Sequence, residues 1–217
     1  MRALPALAAA VLVLAGSSGL EAAAATTVAA PTVKVVVRPV TSTGHVRAGF
    51  TVTGEPSGSV DCSFRDPSPG AVSPNIEFCA PSAEYAVACW KAAAPHRVLC
   101  MRDPRTKHVV RIPRSGAFAA TGVAAARLRA PLGMRLRDGD YCSIRDGGAW
   151  GQLPGHPNLF GTYACRHDGA VWATANAAHQ GVNESQPSWT VHTAHFGSSH
   201  LATRHVAKAW FVGTFTG

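Results

Sequence analysis

Acidic residues are scarce in this chain: 12 aspartates and glutamates stand against 20 lysines and arginines across 217 residues, for a formal charge of +8. The excess is local, with eleven basic and three acidic residues between Arg97 and Arg145. Such a field suits anionic partners, and the shortage of carboxylates limits chemistry that needs them in pairs. Cys-x-x-Cys pairs are absent, and the closest cysteines are ten positions apart. Zinc-ribbon and thioredoxin-type sites therefore lose their usual ligand spacing. There is no Gly-x-Ser-x-Gly elbow, no His-Glu-x-x-His helix and no phosphate-binding glycine loop, so the sequence signals of serine hydrolases, zinc proteases and nucleotide-binding enzymes are missing. Nor is there a nucleic-acid-binding motif. Past the amino terminus no apolar run approaches the roughly 20 residues that cross a bilayer. No apolar pattern repeats at the helical period of about 3.6 residues either.

What is present points to export. Arg2 precedes the apolar run ALPALAAAVLVLA at residues 3–15, and small residues from Ala22 to Ala25 offer Ala-x-Ala cleavage sites. This is the pattern of a signal peptide over residues 1–25. The stretch Ala15, Gly16, Ser17 holds no cysteine to carry a lipid. Residues 26–33, rich in Ala, Thr and Pro, read as a flexible leader. Residues 34–217 read as a single mostly β domain, with two subdomains meeting near 115–132 as a variant of that division. The expected location is secreted or cell-envelope associated, with the signal peptide cleaved.

Short β-branched and aromatic runs separated by turn residues fill the remaining sequence. Val33–Val40 and Val46–Thr53, parted by Thr-Ser-Thr-Gly, predict a first hairpin. Runs at 85–90, 97–102 and 108–112 predict a meander, with a short helix over 82–91 as the competing reading of its first member. Alanines between 119 and 129 allow a helical turn. Further strands are expected at 135–137, 141–145, 161–166, 170–174, 189–195 and 206–214. The class is mainly β: an antiparallel sandwich, open barrel or meander stabilised by about three disulfides.

The six cysteines, Cys62, Cys79, Cys89, Cys100, Cys142 and Cys165, are an even number in an exported chain, which predicts three disulfides. Cys62, Cys100 and Cys142 are each followed within four residues by Arg-Asp, and Cys165 by Arg-His-Asp. Asp-Gly and Asp-Pro are turn formers, so each cysteine sits on a strand just before a turn. Opposed strand residues have Cα atoms about 4.5–5.5 Å apart, close to disulfide separation. This favours neighbour pairing: Cys89 with Cys100 across one candidate hairpin and Cys142 with Cys165 across a longer excursion, which leaves Cys62 with Cys79. On this reading Asp146-Gly147-Gly148 is turn chemistry, with Trp150 packed nearby.

The segments Asn75–Ser82, Ala88-Cys89-Trp90, Val98-Leu99-Cys100 and Arg102-Asp103-Pro104 resemble a family of uncharacterised secreted proteins of mycobacteria and related actinobacteria. Cys142-x-x-Arg145-Asp-Gly-Gly-x-Trp150, Tyr163-x-Cys165 and Ser188-Trp-Thr-Val191 are similar to it too. The resemblance implies an exported, envelope-associated protein and brings no catalytic residues with it.

Six of ten histidines follow residue 166. Their odd spacings put neighbours such as His192 and His195 on opposite faces of a strand, which argues against a metal site, although loops would be able to gather two or three. Arg127 and Arg129, then Arg135 and Arg137, alternate at spacing two. On strands each pair would share a face, making these four the candidate anion-binding residues. The function expected is that of a non-enzymatic module binding an anionic envelope polymer, a lipid surface or a protein, with no cofactor and no nucleic acid. The alternative is a secreted hydrolase whose site is assembled from separated Asp, Glu and His residues.

Overall fold

The computed structural model describes residues 29–54, 58–64, 66–80, 86–145, 151–167 and 169–217. Among these residues thirteen strands form two sheets. In chain order they are β1 (Val33–Thr41), β2 (Thr51–Thr53), β3 (Val60–Asp61), β4 (Ala88–Lys91), β5 (Arg97–Met101), β6 (His108–Ser115), β7 (Gly133–Leu136), β8 (Tyr141–Ile144), β9 (Gln152–Leu153), β10 (His156–Cys165), β11 (Gly169–Thr174), β12 (Thr190–His195) and β13 (Ala202–Phe215). The mainly β expectation holds, and the barrel among its alternatives is the architecture formed, closed rather than open. Strands β7, β8, β10, β11, β12 and β13 make an antiparallel ring of six, because β13 pairs with β12 on one edge and returns to β7 on the other. Closure leaves the ring without a free edge.

The second sheet runs β2-β6-β5-β4, with β3 also on β6. The passage from this sheet to the barrel crosses residues 116–132, where the alanine-rich segment makes one 3-10 turn at Ala126–Leu128. The competing helix over 82–91 does not form in its described part, since Ala88–Lys91 is strand β4; residues 81–85 lie outside the described residues.

The first hairpin is corrected. Thr41–Gly44 does turn the chain, with Gly44 N–H donating to the Thr41 carbonyl at 3.0 Å, and Val40 bridges Val46. Beyond that bridge the two strands part. β1 runs parallel to the carboxyl half of β13, Val33 opposite Lys208 through Thr41 opposite Phe215, and β2 runs parallel to β6. Each arm finds a longer ladder elsewhere. Gly44 has φ +79°, and a Cβ there would lie 2.5 Å from the Ala93 nitrogen and 2.6 Å from the Lys91 oxygen. Gly44→Ala is therefore expected to cost about 2 kcal/mol or more, read as a lowered unfolding midpoint.

One apolar cluster fills the barrel and continues onto the inner face of the small sheet, from Met134, Tyr163 and Val206 to Trp90, Leu99 and Val109. Tyr163 is fully buried and donates its hydroxyl to the Pro131 carbonyl at 2.9 Å. The other face of the small sheet carries a second cluster in which four of eight buried members are cysteines: Cys62, Cys79, Cys89 and Cys100, with Val60, Ala86, Val98 and Ile112.

All six cysteines pair with a neighbour in sequence: Cys62–Cys79, Cys89–Cys100 and Cys142–Cys165. Cys62 and Cys79 lie off the strands, Cys62 just past the end of β3. Cys89 faces Cys100 across β4–β5, and Cys142 faces Cys165 across β8–β10. Three bridges and no free thiol belong to a chain folded in an oxidising, non-cytoplasmic compartment. Among the described residues no helix is long and apolar enough to cross a membrane.

The β5–β6 turn locks the two sheets together. Arg105 lies 3.3 Å over the Tyr141 ring, which meets Trp210 edge-on at 5.8 Å. Gly133 leaves the space that the Tyr141 hydroxyl occupies, and that hydroxyl donates to Asp103 at 3.1 Å. Burial pushes the Asp103 carboxyl up, but hydrogen bonds from the Arg105 side chain and backbone, the Arg105 charge and the Tyr141 hydroxyl outweigh it and hold the group below the usual carboxylate range. Arg105→Ala is expected to cost about 2 kcal/mol at neutral pH, by stranding a partly buried carboxylate and removing a cation–π contact. A depressed carboxyl stabilises above its ordinary pKa and loses that effect as pH falls through its folded value. The difference in unfolding midpoint between parent and variant should therefore narrow in acid.

Candidate functional site at one end of the barrel

Successive barrel strands run up and down, so three connections gather at one end. They are β7–β8 (137–140), β10–β11 (166–168) and β12–β13 (196–201). Between them opens a cavity of about 590 Å³, the size of a small-molecule site and at a position where barrels place one. Leu136, Ala194, Ala202, Gly169 and Cys165 supply its less polar surface, and Asp138, Asp140, His167, Thr193, His195, Ser198, His200 and Arg204 its polar groups.

Turn chemistry places these groups. Gly139 takes φ +94°, so the chain reverses between the two aspartates. Asp138 accepts from the Asp140 N–H at 3.0 Å and pairs with Arg204 at 2.5 Å. Asp140 accepts from the Tyr141 N–H at 2.7 Å and meets His167 Nδ1 at 3.1 Å. With Nδ1 turned to a carboxylate, His167 leaves Nε2 to the solvent side, and its side chain is 78% exposed. On β12, Val191 is buried in the barrel core while His192 is exposed. His195 shares the parity of Val191 and Thr193 and so points to the cavity. In the last turn His200 N–H donates to Ser198 Oγ at 3.1 Å.

His192 and His195 lie on opposite faces of β12, as their odd spacing requires, and of the two only His195 lines the cavity. What sequence reasoning missed is that three connections at one barrel end bring His167, His195 and His200 to the same opening. The signal available was the placement of each histidine beside a turn between consecutive strands. Among the described residues, the one cluster with donor atoms near enough for a metal is Asp140, Cys142 and Cys165, all within 4.8 Å of one another. Both sulfurs are spent in a disulfide, so the cluster is not a metal site.

The four arginines do not form two strand pairs. Arg127 lies exposed in the 3-10 turn and Arg129 just after it, half-buried. The alanines that precede them favour a helical turn, and no strand edge is offered there. Arg135 is exposed on β7, in register with Lys208 of β13. Arg137 falls in the β7–β8 turn and bonds the Ala30 carbonyl. The turn expected at Asp146–Gly148, and Trp150, lie outside the described residues.

Two other places hold titratable side chains in unusual settings. At the opposite end of the barrel, His179 and Gln180 take left-handed backbone (φ 51° and 54°) before Gly181, held by bonds from His179 Nδ1 to the Arg129 carbonyl at 2.7 Å and from Thr162 to the Gln180 carbonyl at 2.8 Å. Against the small sheet, Glu77 is fully buried and its two carboxyl oxygens have no hydrogen-bond partner. Burial raises its carboxyl to about 7, opposed by the charge of Arg114.

Compared with protein-family models, curated proteins and solved structures, the chain matches none. Fold and bridges together define the class: a disulfide-stabilised β-barrel module.

Proposed function

We propose that this chain is an exported binding module of the cell envelope, and that the open end of its barrel holds the ligand. The observation that carries this reading is the convergence of Asp138, Asp140, His167, His195, His200 and Arg204 around one cavity. Two carboxylates there disfavour a phosphate or carboxylate ligand. Carboxylate oxygens accept from hydroxyl and amine groups, while Arg204 donates. The ligand that fits is a hydroxyl- or amine-rich unit, such as a sugar of an envelope polymer. Anionic stretches of the same polymer, or acidic lipid, would meet the barrel wall instead, where Arg135 stands beside Lys208, with Arg127, Arg129 and Arg137 elsewhere on the surface. The apolar segment at residues 3–15 and the resemblance to secreted actinobacterial proteins support export.

Calorimetry with saccharide fragments released from cell envelope tests the site. Parent protein should bind, and Thr193→Phe, which fills the cavity, should lose at least tenfold in affinity. His200→Ala, on an exposed loop, should weaken binding without changing the unfolding midpoint. Equal affinity for parent and both variants would remove the cavity from the function.

The hydrolase reading rests on a different observation, the Asp140–His167 pair, which has the geometry of a base held by an orienting carboxylate. Its nucleophile is the missing part: the cavity cysteine is in a disulfide, and among the described residues no hydroxyl bonds His167. Release of new reducing ends from the same fragments, lost in His167→Gln, would establish it.

A further inference from the structure

The three disulfides are not equivalent. Cys62, Cys79, Cys89 and Cys100 are all fully buried behind the small sheet. Of the third bridge, Cys142 is fully buried but Cys165 is partly exposed and lines the barrel cavity. An attacking thiol must reach a sulfur, and among the described residues Cys165 is the cysteine that is partly exposed and lines the cavity. An Asp140 carboxylate oxygen lies within 4.8 Å of both sulfurs, and Asp140 meets His167 Nδ1 at 3.1 Å. A thiolate leaving from Cys142 would therefore appear beside a group able to pass it a proton. The bridge also staples a short seam, since β8 and β10 share three register pairs, of which Cys142–Cys165 is one.

We propose that Cys142–Cys165 is an exchangeable disulfide, opened from the cavity by low-molecular-weight thiols while the other two bridges stay closed. The thiolate of the small molecule attacks Cys165 Sγ and forms a mixed disulfide with it. The Cys165–Cys142 bond breaks, its electron pair leaves with Cys142 Sγ, and that sulfur takes a proton from the His167–Asp140 pair. A second equivalent of thiol attacks the small-molecule sulfur of the mixed disulfide and releases the oxidised dimer of the thiol. Cys165 is left reduced, so the bridge gains two electrons and two small thiols lose them. The proposal shares the cavity with the ligand site but does not depend on that ligand, because its readout is covalent.

The test is reduction of the intact folded protein by 2-mercaptoethanol in native buffer, quenched with an alkylating agent and mapped by peptide mass. Label should appear on Cys142 and Cys165 at least tenfold faster than on the other four cysteines, with the mixed disulfide found on Cys165. Circular dichroism should keep its β signal at that stage. Thr193→Phe, by narrowing the cavity, should slow the reaction about tenfold, and His167→Gln should slow it severalfold. Simultaneous labelling of all six cysteines, labelling only as the β signal is lost, or a mixed disulfide on Cys142 would each overturn the proposal. A rate unchanged in His167→Gln would overturn the proton transfer.

Discussion

Replacing Cys62, Cys79, Cys89 and Cys100 together by alanine is expected to lower the unfolding midpoint by on the order of 15 °C, or to prevent folding at growth temperature. The bridges close segments with sequence separations of 17 and 11 residues, and in the chain-entropy model each contributes about 3 kcal/mol. For a domain of this size, about 1 kcal/mol corresponds to about 2–4 °C. Packing adds to the loss. Apart from its cysteines, the cluster behind the small sheet has Val60, Ala86, Val98 and Ile112 as its buried members, too little apolar surface to hold a five-stranded sheet face alone. The barrel is differently placed. Cys142 sits among a large continuous core, so Cys142→Ala with Cys165→Ala should cost about 3 kcal/mol and leave the ring folded. Calorimetric scans of the two variants decide the matter. An equal or larger loss for the barrel pair would show that the small sheet does not depend on its bridges as argued.

Glu77 supplies the second large effect, in the dependence of stability on pH. Its segment is covered on both sides: Ile76 belongs to the main core and Cys79 to the cysteine cluster. Glu77 exchanges both backbone hydrogen bonds with Cys89, at 2.9 and 2.8 Å, which fixes its side chain inside. The folded state keeps the carboxyl proton to about pH 7, whereas the ordinary value is 4.5. Between those values the folded state binds more protons than the unfolded one, so stability falls as pH rises and levels off above about 7. The loss amounts to roughly 3 kcal/mol at most, from about 1.4 kcal/mol per pKa unit. Glu77→Gln should flatten this slope and unfold at a higher temperature than the parent at pH 8. The two proteins should differ little at pH 5. Melts at both pH values provide the check. A parent slope that persists unchanged in the variant would assign the pH dependence to other groups.

Much of the fold was legible because its signals are local. Runs of strand formers marked β4 to β8 and β11 to β13 within a few residues, and two of the cysteine pairs followed from strands close in sequence, which left Cys62 with Cys79. The long-range pairings were not legible. β1 joins β13 across most of the chain, and β2 and β3 both lie parallel to β6. No local pattern encodes a partner at that distance, so Val33–Val40 was read with its sequence neighbour. Arg127 and Arg129 show a related limit. Alternation at spacing two marks a shared face only on a strand, and theirs is a 3-10 turn. The cavity lay between these cases: each of its histidines was visible beside a turn, but their meeting depends on ring closure. Glu77 gave no local sign of burial, because an acidic residue in a short strand-like run ordinarily faces water.

The central claim, that ligand enters the barrel end, is tested most directly by following histidine ring resonances while envelope saccharide fragments are titrated into the folded protein. His167, His195 and His200 should shift together along one saturating curve, with His45, His96 and His108 unmoved. Saturable binding that leaves the three cavity histidines unchanged would contradict the claim.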